Sequence, residues 1–213
     1  MNKQLIVKIV NSVYWTLLSA WFGCLAMTGI VAMIAFPTLR DLNPALPGYS
    51  SYAGEHWSIA AGHVMRKVFL VNDAVQLVAL VGCSLIMGLQ VTVMGQRRER
   101  GANVLRGICL FALMCSTAYY LLALSTRMDA NLLEYWARAA TGADGAGFKA
   151  AFDKDHLVAE NILKFNLFML LGLVLSSACA LTTDAPDAAS AGRAPVGRPG
   201  NLEEPALLRG GAR

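Results

Sequence analysis

The sequence predicts an all-α fold, an integral membrane bundle of four transmembrane helices with a short outer interfacial helix. Three observations predict it. Only 15% of the 213 residues are charged while 56% are hydrophobic, and soluble domains carry about 25% charged residues. The mean hydropathy is +0.49. The apolar residues also fall in long blocks rather than short alternating runs, and a helix that crosses a bilayer needs about 20 mostly apolar residues.

The first block runs from Val13 to Phe36 and follows Lys3 and Lys8. Signal-peptide cores are about 7–15 residues long, so this longer block reads as an uncleaved anchor. Pro37 is expected to end its helix. Pro44, Pro47 and Gly48 make residues 37–51 a loop. Residues 52–67 return to helical character, with His56, Ile59, His63 and Arg66 on one face by their spacings of three and four. Trp57 suits the lipid–water boundary. This is the expected interfacial helix, either separate or continuous with the next span.

The second block, Val68 to Met94, carries Asn72, Asp73 and Gln76 near its start. The third runs from Gly107 to Ser125. A long connection, 126–156, holds an interfacial segment around Leu132, Leu133, Tyr135 and Trp136, then a glycine-rich turn from Thr141 to Gly147. The fourth block, Leu157 to Leu181, opens with Glu160, Asn161, Lys164 and Asn166. From Thr182 onward the chain is rich in Ala, Pro, Gly and Arg. It lacks the apolar surface to offset chain entropy, so disorder is expected. The domain reading is a cytoplasmic N-terminus (1–12), a four-span membrane domain (13–181) and a disordered cytoplasmic tail (182–213).

Charge sets the expected orientation. Arg97, Arg98, Arg100 and Arg106 crowd the connection between the second and third blocks, and positive residues near spans stay inside. Both termini are then cytoplasmic, and the protein belongs to a bacterial cytoplasmic (inner) membrane. The net charge of +4 is explained by this placement. With no glycine-rich phosphate loop or basic–aromatic stripe, nucleic acid is not an expected partner. Cys24, Cys83, Cys109, Cys115 and Cys179 lie in apolar blocks without a C-x-x-C pair, and are expected to pack as small hydrophobes.

The candidate chemistry is a polar belt at the outer ends of the second and fourth spans. Side chains tilt towards the N-terminus of their helix, so Asp73, Glu160 and Lys164 lean outward, near His63, Arg66, Lys67 and His156. The candidate ion or proton site is therefore Asp73, His156, Glu160, Lys164 and His63. His156, Glu160 and Lys164 share one face by their spacing of four. An unpaired carboxylate inside a bilayer is costly, so Asp73 is expected to face the bundle and to pair with Lys164 or Arg66. No H-x-x-x-H or H-E-x-x-H motif occurs. No metal, cofactor or catalytic residue is predicted, and a haem would need two of His56, His63 and His156 to converge.

Trp21, Gly23 and Ala35-Phe36-Pro37, then Ala61-Gly62 and Phe69, then Phe152-x-x-x-His156 with Asn166, carry a resemblance. Over residues 13–181 the chain resembles the four-helix bacterial membrane proteins of the domain-of-unknown-function 4149 / transmembrane-protein-205-like family. It departs in a longer outer loop at 38–60, in Glu160 where a small residue is usual, and in its tail. The resemblance implies the four-helix fold and draws attention to His156; it implies no activity.

The functional expectation is a structural or accessory component of the membrane, in contact with the lipid bilayer and with a protein partner or a second copy. The alternative is a small transporter or ion-handling protein using the outer belt. A further alternative is a haem-binding oxidoreductase subunit. Topology is directly testable with reporter fusions. Fusions at Gly48 and Gly142 should give alkaline phosphatase activity and a fusion at Arg98 should not; phosphatase activity at Arg98 would reverse the orientation.

Overall fold

The computed structural model describes residues 3–93 and 101–182. Its elements are α1 (Lys3–Leu42), a 3-10 turn (Pro47–Tyr49), α2 (His56–Thr92), α3 (Gly101–Tyr119), a π turn (Tyr120–Leu124), α4 (Ser125–Thr141) and α5 (Ala146–Thr182). The described residues are helical throughout apart from the connections. Four stretches are long and apolar enough to cross a membrane: Gln4–Leu42, His56–Thr92, Gly101–Thr141 and Ala146–Ala180. The expected tail falls outside the described residues, as do Arg97, Arg98 and Arg100.

The helices alternate in direction. One end of the bundle carries the turns after α1 and α4 (the hairpin end). The other carries the start of α1, the end of α2, the start of α3 and the end of α5 (the terminal end). Packing is paired: α1 lies along α2, and the continuous α3–α4 lies along α5. The two pairs meet more sparsely, through α1 against α5 and α2 against α3.

Burial follows one rule in each helix. Tyr14, Leu18, Trp21, Leu25 and Thr28 form the buried seam of α1. Asn72, Gln76, Ala79, Cys83 and Gln90 do so in α2, and Arg106, Leu110, Leu113, Thr117, Tyr120 and Leu124 in α3 and the π turn. In α5 the seam is Asn166, Leu170, Leu173, Ser177 and Ala180. These alternating steps of three and four are the heptad pattern of left-handed helix packing. The opposite faces expose Leu70, Leu85, Leu122, Phe168 and many similar side chains, as a surface facing lipid tails would.

Several expected boundaries are corrected. Pro37 does not end α1, which continues to Leu42. A proline costs one helical hydrogen bond, but the carbonyl it frees belongs to Met33, whose side chain is exposed. The helix stops instead at Asn43, which adopts a left-handed φ of 41°. The interfacial helix is not a separate element, because His56–Thr92 is unbroken. The 126–156 connection is a helical hairpin, α4 turning into α5 through Gly142, whose φ is 72°. α4 is amphipathic, and it is stable outside the apolar blocks because it buries Tyr135, Trp136 and Ala139 against Ile59. Cys83 and Cys109 are buried as small hydrophobes.

Trp136 reaches α2 at Gly62, where an added Cβ would stand 2.9 Å from the ring. The ring also stacks on His63, with centroids 3.8 Å apart, so it has little room to retreat. Gly62→Val should therefore push α4 off α2 and destabilise the protein by about 1–3 kcal/mol. Thermal melts in detergent would check this, and an unchanged midpoint would show that the contact is dispensable.

Candidate functional site

The polar side chains in the seams gather in two layers separated by apolar packing. The layer at the terminal end is centred on Arg106, which is 1% exposed. Its Nε donates to Ser177 Oγ at 3.1 Å, Nη1 to Asn103 Oδ1 at 3.0 Å and Nη2 to Gln90 Oε1 at 2.7 Å. The guanidinium lies over the Tyr14 ring, 5.1 Å from its centroid. Gln90 Nε2 donates onward to Asn11 Oδ1 at 3.0 Å, and the Tyr14 hydroxyl meets Ser177 Oγ at 2.8 Å. Arg106 thereby ties together α1, α2, α3 and α5. The sequence reading counted it with the basic connection. Its step of four to Leu110, in phase with the apolar seam, was the available signal that it turns inward.

The second layer lies about 16 Å further along α3, from Arg106 to Thr117. Ser116 Oγ donates to Asn166 Oδ1 at 2.5 Å, and Asn166 Nδ2 faces Thr117 Oγ1 at 3.4 Å. Asn72, Gln76, Thr117 and Asn166 are each 1% exposed or less. Neither amide atom of Gln76 has a hydrogen-bond partner among the described residues, and Asn72 Oδ1 has none either. Asn72 Nδ2 reaches Asp73 Oδ1 at 3.4 Å. The Tyr120 hydroxyl lies within reach of the same carboxylate. Tyr120 opens the π turn, where Ser125 N–H bonds back to Tyr120 O instead of following the α pattern. π turns widen a helix locally and recur at functional sites.

The five sequence-predicted site residues separate into three groups. Asp73 is half-buried in the second layer, and it forms no ion pair among the described residues. The partners expected for it are engaged elsewhere. Arg66 makes a two-pronged contact to Asp129, at 2.5 and 2.9 Å. Lys164 pairs with Glu160 at 3.2 Å. The cause is proximity along and across the helix ends: Glu160 is one turn from Lys164, and α4 brings Asp129 beside α2. The second group is His156, Glu160 and Lys164, where His156 Nε2 is 3.4 Å from Glu160. Lys164 is largely exposed, and His156 stacks on Phe152 at 5.4 Å.

His63 forms the third group. It is held between Trp136 and the Tyr49 hydroxyl, which lies 3.0 Å from its Nε2. His56 Nδ1 accepts from Leu46 N–H at 3.0 Å, fixing the loop after α1. Arg127, absent from the sequence reading, clamps Asp155 at 2.6 and 2.7 Å and joins α4 to α5. Among the described residues no three His, Cys, Asp or Glu side chains gather as metal ligands.

The two layers make different mutational predictions. Arg106→Met would strand Gln90, Asn103 and Ser177 beside an apolar side chain. The loss should be about 2–4 kcal/mol, the range for breaking one partner out of a buried charged network, read as a lowered melting midpoint. Melted in choline chloride, Gln76→Leu should be neutral or stabilising, because it removes a buried amide that has no partner among the described residues. A strongly destabilised Gln76→Leu would show instead that the amide is needed for packing. Set against known proteins, the chain matches no family model, no curated protein and no solved structure.

Proposed function

We propose that this chain is a multi-pass protein of the bacterial cytoplasmic membrane, with both termini cytoplasmic, that handles an ion or a proton through the layer around Asp73. The single observation that supports this reading is the contrast between two glutamines. Gln90 has both ends of its amide bonded, one to Arg106 and one to Asn11. Gln76 is fully buried, and neither end of its amide has a partner among the described residues. A buried amide without a partner costs about 1–3 kcal/mol, so a side chain kept only for packing would be apolar. Beside it stands a carboxylate in the bundle, a position that marks ion and proton pathways. The resemblance to the domain-of-unknown-function 4149 / transmembrane-protein-205-like proteins belongs to the same proposal, and the Phe152–His156 stack is the part of it with a visible packing role.

A second reading, a structural or accessory component, is favoured by a different feature. Where α2 and α3 meet loosely, an apolar groove of about 440 Å³ opens between Met87, Gly88, Gly107, Phe111 and Met114. A groove of that lining suits a lipid chain or a helix of a partner or second copy. Reconstitution separates the two readings. Proteoliposomes containing the full chain and a pH-sensitive dye should show protein-dependent ion or proton movement, lost in Asp73→Asn. Tight vesicles that show no movement with any imposed gradient would leave the accessory reading in its place.

A further inference from the structure

The layer around Asp73 has a chemistry more specific than its polarity. We propose that it is a binding site for one dehydrated monovalent cation, of the Na+ type, held by Asn72 Oδ1, the Asp73 carboxylate and Gln76 Oε1 on α2. This rests on the reading that the layer handles an ion, and it names the ion.

Donor type comes first. The acceptor atoms offered by Asn72, Asp73 and Gln76 are all oxygens. Such a set suits a hard cation and is poorly matched to a soft metal, which prefers thiolate or imidazole. Charge comes second. Asp73 brings one negative charge, and among the described residues no three His, Cys, Asp or Glu side chains gather as ligands. One cationic charge neutralises it, whereas divalent sites usually gather several carboxylates.

Spacing is the third argument. Asn72 and Gln76 are one helical turn apart on the same face, and Asp73 is three residues from Gln76. The set therefore comes from a single rigid turn of α2 and needs no loop to organise it. The fourth argument is that Asn72 Oδ1 and Gln76 Oε1 are buried acceptors with no donor among the described residues. A proton bound to Asp73 supplies one O–H donor and could serve at most one of them. A cation would satisfy both at once. Finally, the Tyr120–Leu124 π turn faces this part of α2 through Tyr120. Irregular helical backbone in a membrane bundle is where carbonyls become free to coordinate ions.

The test uses the full-length chain purified in detergent. Thermal melts are run in NaCl, KCl and choline chloride at equal ionic strength, alongside equilibrium binding of radioactive Na+. The expected result is a midpoint about 2–4 °C or more higher in NaCl than in choline chloride, with bound tracer displaced by unlabelled Na+. Asp73→Asn and Gln76→Leu should each lose that increment. Glu160→Gln, which alters a carboxylate paired on α5, should retain it. Identical melts in all three salts with no bound tracer would overturn the proposal, and that result requires no variant to fold. Proton movement in vesicles without Na+ binding would keep the broader reading and reject this one. Na+ binding without any flux would keep the site and reject a transport role.

Discussion

The terminal half of the bundle is arranged around one buried guanidinium. An arginine inside a membrane-type bundle is expensive unless its donors are occupied, because hydrocarbon offers nothing in exchange for water. Arg106 meets that requirement by drawing groups from neighbouring helices: Gln90 from α2, Ser177 from α5 and the Tyr14 ring from α1. Each of those groups sits in the buried seam of its own helix. The register of the four helices is therefore fixed at this end by directional bonds, where apolar packing alone would tolerate sliding by a heptad. Asn11 extends the network through Gln90, which is why the first turns of α1 belong to the bundle.

At the hairpin end the same problem is solved differently. Here the polar links lie on the rim, where each pair is partly solvated: Arg66 with Asp129 and Arg127 with Asp155. The Arg66–Asp129 pair, exposed on both sides, contributes little, about 0–1 kcal/mol, whereas Asp155 is buried beneath Arg127. The larger contribution comes from α4, whose Trp136 and Tyr135 close over α2 and the loop after α1. Between the two ends lies the layer with Asp73 and Gln76, where polar groups are buried without a complete set of partners. Stability at the ends holds a middle that is less well satisfied, a common arrangement where function competes with packing.

Much of this was legible in the sequence, and the failures have physical causes. The four blocks were visible because each helix is long and apolar enough to cross a membrane and is apolar on nearly every side. Their ends were not, because α4 and the first turns of α5 are amphipathic segments stabilised by packing on each other and on α2. Composition marks the ends of the apolar stretches, and helices simply continue past them. Pro37 misled for a related reason: its rule describes a local cost, and the last turns of α1 absorb that cost. The belt of Asp73, His63, His156, Glu160 and Lys164 was legible as polar residues at one depth. Which of them meet depends on rotation about each helix axis, and the π turn shifts the phase of everything after it in α4. Arg106 was mistaken for a boundary charge because it follows three arginines, although its phase matched the buried seam.

The paired architecture has a consequence for how such a protein is made. A ribosome delivers α1 and α2 well before α3 and α5. In that interval Gln90 has only Asn11 to bond, and Asn72, Asp73 and Gln76 face no second pair at all. The early hairpin thus carries a polar stripe along its apolar surface. Arrival of Arg106 and Ser177 covers the stripe at one end, and arrival of Asn166 and Thr117 covers it at the other. The register at the terminal end is therefore set only once the second half of the chain has been synthesised.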